Sequence, residues 1–417
     1  MQLWRDRTFL PFWLSSTVLA LGYQIAFTAV PLVAVVTLQA SAGATGVLRA
    51  VVALPNLAFG IPAGVWVDRL PRRRVLIAAS ALAAIVTATI PAAGVAGVIS
   101  LPQLYLVAFL TGTAGVFRGI AATAYLPSIV ERDELLRANT MLATTNSTMG
   151  IVGPSLSGLL VQLITAPLAL LADALMSLVS VVVLSTIRRP EPPRPARAAH
   201  RFRAELVEGI TIVIGHPILR WLMLFIASFN LFSSVAQAVF ILYMARQLHL
   251  PPATIGLVLA AAGPGALLGA LMARRGALRI GIGPTIVAGG VTFGAGWLLT
   301  PLAAGPPAAL VVLLMGSQFL LFAGAQLANV NIQSLRQAVT PDRLLGRVDG
   351  SMLLAFQGMI PIGAVLGGLI GQEFGPRSAL WVAAAGSLGA MALVAASPLR
   401  RVRSLVDTTP ISAAAQR

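Results

Sequence analysis

The sequence predicts an all-α membrane protein with twelve transmembrane helices in two pseudo-symmetric six-helix bundles. Three observations lead there. Of 417 residues, 57% are hydrophobic and only 10% charged, with a mean hydropathy of +0.88, whereas a soluble chain carries roughly 25% charged residues. The apolar residues gather into twelve runs, each close to the 20 or so that a bilayer requires. Charged motifs also recur at matching places in the two halves, the mark of an internal duplication.

Taken in order, the runs are 9–38, 44–67, 74–98, 101–126, 138–163 and 166–187, then 217–244, 252–273, 280–301, 306–333, 347–372 and 377–398. The first starts within eight residues of Met1 and spans about thirty, which suits a retained anchor better than a cleaved signal. Loops alternate sharply in charge. One side receives Arg5, Arg7, Arg69, Arg72, Arg73, Arg74, Arg132, Arg137, the run from Arg188 to Arg220, and most later arginines; the other receives Arg246 and Arg377. The positive-inside rule then places both termini in the cytoplasm. The long break opens with Arg188-Arg-Pro-Glu-Pro-Pro-Arg-Pro195, an extended solvated linker. Phe202 to Ile214 follows as an amphipathic helix on the membrane surface, Glu205 and Glu208 on one side and Leu206, Ile210 and Val213 on the other. The expected division is thus a first bundle over 1–187, a linker over 188–216, a second bundle over 217–399 and a tail over 400–417.

Several chemistries are excluded by composition. The net charge of +16 comes from arginines between apolar runs, not from a basic stripe on a soluble domain, so no nucleic-acid partner is expected. Lysine is absent, which removes a phosphate-loop lysine and any lysine Schiff base. Cysteine is absent too, and His200, His216 and His249 are dispersed, so no disulfide, metal site or cofactor is expected. With no nucleophile and no convergent carboxylates, an enzyme reading fails.

The halves repeat. Asp133-Glu-Leu-Leu-Arg137 before the fifth helix parallels Asp342-Arg-Leu-Leu-Gly-Arg347-Val-Asp349 before the eleventh. Gly64-Val-Trp-Val-Asp68-Arg69-Leu-Pro-Arg72-Arg73-Arg74 after the second helix has a counterpart in Gly269 to Arg275, where Ala273 takes the acidic position. The Gly64 position permits close helix contact, and Asp68 can pair across a helix junction.

These motifs resemble those of the major facilitator superfamily, specifically its 12-helix drug-exporter branch with macrolide and siderophore exporters, over essentially the whole chain. Gly64 to Arg74 matches the loop between helices 2 and 3. Gly150, Gly153, Pro154 and Gly158 resemble the helix-5 antiporter motif, with Ser157 where that motif prefers glycine. Leu171-Ala-Asp173 in helix 6 and Arg336 to Arg347 also resemble the branch. The resemblance implies a bacterial inner-membrane exporter of amphipathic small molecules by alternating access, with protons as the coupling ion and a monomeric assembly. A dedicated siderophore or metabolite exporter, or a non-transporting receptor or scaffold, are the alternatives.

The residue roles keep two readings each. Gly64, Asp68, Arg69, Arg72, Arg73, Arg118, Arg347 and Asp349 form a gate in one and serve topology or support in the other. The helix-5 glycines pack small residues or seal a pathway, on one physical basis. Asp173 carries protons or has a structural partner such as Arg49 in helix 2. Tyr23, Gln24, Thr28, Asn230, Gln237, Gln326, Asn329 and Gln357 line a cavity or bond between helices. With Phe27, Phe232, Phe240 and Phe356 they make an apolar cavity with scattered donors. It suits sugars poorly, and anions poorly because no arginine cluster is evident in the sequence.

Overall fold

The architecture comes from a computed structural model, which describes residue 3 and residues 6–60, 62–188, 191 and 202–404, without the side chains of 202–206. Arg5, most of the expected linker, the tail beyond 404 and the side chains of Glu205 and Leu206 lie outside the described residues. Among those described, twelve helices are long and apolar enough to cross a membrane, and no strand occurs. They are α1 (Phe9–Thr37), α2 (Ala42–Phe59), α3 (Arg72–Val95), α4 (Leu101–Ile129), α5 (Leu135–Ile164), α6 (Ala166–Thr186), α7 (Pro217–Gln247), α8 (Pro252–Ile280), α9 (Ile282–Leu299), α10 (Pro307–Val339), α11 (Asp342–Glu373) and α12 (Pro376–Ala396).

Proline and acidic caps set several boundaries. Asp6 Oδ1 accepts from the N–H groups of Thr8 and Phe9 at 2.6 and 2.8 Å and so starts α1. The second span does not run unbroken to 67 as expected. It stops at Phe59, and a short helix, Pro62–Arg69, follows. Pro62 has no N–H to offer the Ala58 carbonyl and crowds it, which breaks the helix there. Pro264 acts similarly on Ala260, and α8 carries a turn at Ala261. The eleventh helix begins at Asp342 behind Pro341, five residues before the expected 347. Arg347 and Asp349 therefore lie inside α11 and not at its positive dipole end.

Two compact units emerge, one of Met1–Ala198 with Ile241–Ala260, the other of Ala199–Phe240 with Ala261–Arg417. The hairpin tip joining α7 and α8 belongs with the first unit, although it follows the linker in sequence. In the first unit α1 packs on α5 and α6, α3 on α4 and α6, and α2 on α4. Ser180 ties three of these together, its Oγ lying 2.7 Å from Ser15 Oγ and 3.3 Å from Ser80 Oγ.

In the second unit α8 and α9 both pack against α10. Small residues allow it: a Cβ on Gly265 or Gly269 would strike the backbone of Phe319 or Ala323. Its interior is aromatic. Phe225, Phe229, Phe293 and Trp297 form a ladder, with Phe229 and Phe293 stacked at 3.8 Å between centroids. The helix Phe202–Gly215 does not simply lie on the membrane. It packs on α11, where Gly209 meets the Arg347 backbone, Glu208 pairs with the Arg347 guanidinium and Val213 is fully buried. Ile210, expected on the Val213 face, stays partly exposed, since a 14-residue helix turned onto a neighbour buries only a narrow stripe.

Both α1 and α7 end in a π turn, at Val33–Thr37 and Tyr243–Gln247. The closing bonds correspond: Leu38 to Val33 and Ala40 to Ala34 in one, Leu248 to Tyr243 and Leu250 to Met244 in the other. Gln39 and His249 then take φ values of 50° and 52°. In α1 the wide turn leaves the next carbonyls to side chains. Arg246 Nη2 donates to Val35 O at 2.9 Å and Gln39 Nε2 to Val36 O at 3.0 Å.

Candidate functional site

The chemistry-bearing residues of the first bundle meet around Asp173 in α6. Its side chain is buried, and Thr87 Oγ1 of α3 donates to Oδ2 at 3.3 Å. Glycine in α1 makes room for it, because a Cβ on Gly22 would lie 2.6 Å from Asp173 Oδ1. The cation acting on the carboxylate is Arg118 of α4. Arg49 of α2, the partner that the sequence suggested, instead holds its guanidinium carbon 5.8 Å from the Phe27 ring centroid. The Tyr23 and Phe27 rings are 6.1 Å apart and leave 55% and 38% of their surface uncovered by protein. A charge inside a membrane helix costs about 2.5–3.5 kcal/mol on insertion scales, which the Thr87 hydrogen bond and the opposite charge of Arg118 reduce.

The helix-5 residues divide between two neighbours. Gly153 faces Gln24 of α1, and a Cβ there would collide with that side chain; Gly150 stands 3.4 Å from Gln24 Nε2 by the same measure. Pro154 and Gly158 face Gly256 of α8, where a Cβ on Gly158 would lie 2.9 Å from the Gly256 Cα and strike the Pro252 carbonyl. Gln162 Oε1 accepts from Ala253 N–H at 3.2 Å and caps α8. Ser157, the departure from the motif, is fully buried and donates to Ile25 O at 2.9 Å.

At the arginine-rich end, Glu191 accepts from the N–H groups of Arg72 and Arg73 at 2.9 and 2.8 Å, so a linker carboxylate caps α3. The Arg72 guanidinium reaches Ala124 O at 2.6 Å, and that of Arg73 reaches Leu184 O and Ser185 O at 2.9 and 2.7 Å. Both clamp helix ends within the first bundle. Asp68 lies 3.7 Å from Arg72, a loose surface pair. Arg69 is exposed. Gly64 makes no close approach: a Cβ there would meet nothing within 4 Å, because the helix break turns Pro62–Arg69 aside.

The transmembrane secretion effector family model matches residues 3–414. The chain belongs to the major facilitator superfamily. Among curated relatives of this transporter, the multidrug efflux pump Tap of Mycolicibacterium fortuitum is 27% identical over 334 residues, 77% of this chain and 79% of Tap. The enterobactin exporter EntS of Salmonella paratyphi A is 28% identical over 376 residues, 84% of this chain and 82% of EntS. Among solved structures, an inward-facing bacterial homologue of the iron transporter ferroportin superposes with a TM-score of 0.77 at 18% identity, covering 94% of this chain and 98% of that one. The nucleoside transporter NupG (D323A mutant) gives 0.76 at 13% identity, with coverage of 93% and 98%. These structures share the fold. The family is one of membrane transporters and not of enzymes.

The remaining expected cavity residues of this major facilitator transporter are scattered. Thr28 is fully buried, on the core side of α1. Asn230 Nδ2 donates to Ile226 O at 2.8 Å and Gln237 Nε2 to Ser233 Oγ at 2.8 Å, both along α7. Gln24, Gln326 and Gln357 are half-buried and Asn329 is exposed. In α11, Arg347 pairs with Glu208 and Asp349 with Arg336 at 2.9 Å. Sequence reasoning missed Asn331, a buried amide donating to Ala273 O at 3.3 Å. It also missed Glu191, whose proline-rich setting read as solvated linker.

Proposed function

We propose that this transporter is a secondary exporter of amphipathic organic small molecules, working by alternating access in exchange for protons across a bacterial inner membrane. Export of small molecules is supported by the family and by relatives that include a multidrug efflux pump and an enterobactin exporter. The observation that carries the coupling is Asp173, a buried carboxylate facing Arg118 and held by Thr87. Such a group exists either charged or protonated, which gives a transporter two electrostatic states. Asp68 is the gate carboxylate, and the Gly158–Gly256 contact is the seal opened during the cycle. The protein acts as a monomer with both termini in the cytoplasm. A dedicated siderophore exporter is the second reading, favoured by the match to the enterobactin exporter.

The test is transport in inverted vesicles with a panel of amphipathic compounds. Movement should require the imposed proton gradient, and Asp173→Asn should abolish that requirement together with accumulation. Gradient-independent accumulation by the native protein would remove the antiport claim. Asp68→Asn should impair transport at normal expression; unchanged transport would end the gate assignment.

A further inference from the structure

Between their ends, the six spans of the first bundle carry three charged residues, Arg49, Arg118 and Asp173. Their formal sum is +1, however they pair, and +2 whenever Asp173 holds a proton. A membrane-spanning bundle that keeps a surplus positive charge in its interior is costly to build, and such charges mark ligand paths. This surplus is not spread out. Arg49 lies over the Phe27 ring and Tyr23 stands next to Phe27, so the cation and the two rings form one patch. The rings are the parts of the patch least covered by protein. In the second bundle, the aromatic ladder of Phe225, Phe229, Phe293 and Trp297 has no arginine over its rings among the described residues.

We propose that Arg49, Tyr23 and Phe27 form a subsite for an aromatic organic anion, a carboxylate, phenolate or sulfonate, and that exported molecules carry such a group. The proposal rests on the export reading above and names its substrate class. It reverses the expectation that anions fit poorly, which followed from reading Arg49 and Arg118 as separate residues 69 positions apart. The planar guanidinium fork of Arg49 matches a two-oxygen anion, and the exposed rings of Tyr23 and Phe27 give the attached aromatic body a surface to stack on. Arg118 supports the same potential from beside Asp173. A cationic drug, in contrast, would bring a like charge toward both arginines.

The experiment uses the full-length protein in lipid nanodiscs and two xanthene dyes of opposite charge, fluorescein and rhodamine 6G, followed by fluorescence anisotropy. Fluorescein should bind about tenfold tighter or more. Arg49→Gln should weaken fluorescein about tenfold and strengthen rhodamine 6G by relieving like-charge repulsion, and the retained rhodamine 6G binding also reports that the variant is folded. Arg49→Lys, which keeps the charge but loses the fork, should restore only part of the fluorescein affinity. Equal binding of the two dyes, preference for rhodamine 6G, or fluorescein binding indifferent to Arg49→Gln would each overturn the subsite. Export that persists with a preference for rhodamine 6G would remove the anion and leave the export reading. Arg49-dependent fluorescein binding without export would do the opposite.

Discussion

Adding one methyl group at Gly158 tests whether the contact between α5 and the α8 tip opens during the working cycle. The new Cβ of Gly158→Ala would stand 2.9 Å from the Gly256 Cα and press on the Pro252 carbonyl, and none of these backbone atoms can swing aside. Overpacking of this kind costs about 1–3 kcal/mol. Alanine also favours helix over glycine by about 1 kcal/mol, but that gain applies whether the contact is made or broken and so cancels. If only the sealed conformation bears the strain, the population with the contact open rises by about 5- to 150-fold. The absence of cysteine makes the measurement direct. A single cysteine replacing Ile255, which is fully buried beside Gly256, reacts with a membrane-impermeant maleimide when the contact opens. Labelling should accelerate with the open population until that population dominates. Gly256→Ala should act alike, and the double variant should fall short of the sum because the two strains share one contact. An unchanged labelling rate in a stable Gly158→Ala protein would refute the reasoning: the contact would then be packing that never opens.

Three further outcomes follow from single hydrogen bonds. Glu191→Gln removes the charge that caps α3 and should lower stability by about 1 kcal/mol, read as a thermal midpoint lower by about 1–2 °C; an unchanged midpoint would count against the cap. Ser157→Ala loses the bond to Ile25 and should cost about 0.5–1.5 kcal/mol in thermal unfolding, whereas equal stability would make the serine a passive substitute for glycine. Arg246→Gln should free the π turn of α1, seen as faster amide hydrogen exchange over residues 36–40. Unaltered exchange would show that the turn holds without the arginine.

The helices were legible because hydropathy and charge alternation both report the bilayer. Twelve spans follow from them, and even the break after Phe59 was written in Gly60 and Pro62. What could not be read was partnership across the bundle. Arg49 and Arg118 have similar claims on Asp173 from sequence, and only the three-dimensional placement of α2, α4 and α6 decides between them. Glu191 is more than a hundred residues from the N–H groups that it caps, and a solvated linker has the same composition. The helix Phe202–Gly215 displays an amphipathic period whether it rests on lipid or on α11, since both bury one stripe. Arg72 and Arg73 look like surface charges in sequence, yet their guanidinium groups bind carbonyls of neighbouring helices.

The paired π turns have a consequence for how this chain came to be. A π turn holds one residue more than the α-helical turn it replaces, so each records an extra amino acid lodged in a helix. Here the surplus sits at equivalent points 210 residues apart, closes through the same bonds, and is followed by the same left-handed backbone at Gln39 and His249. Two independent insertions would have had to choose the same place. One insertion, made in an ancestral six-helix unit before it doubled, accounts for both.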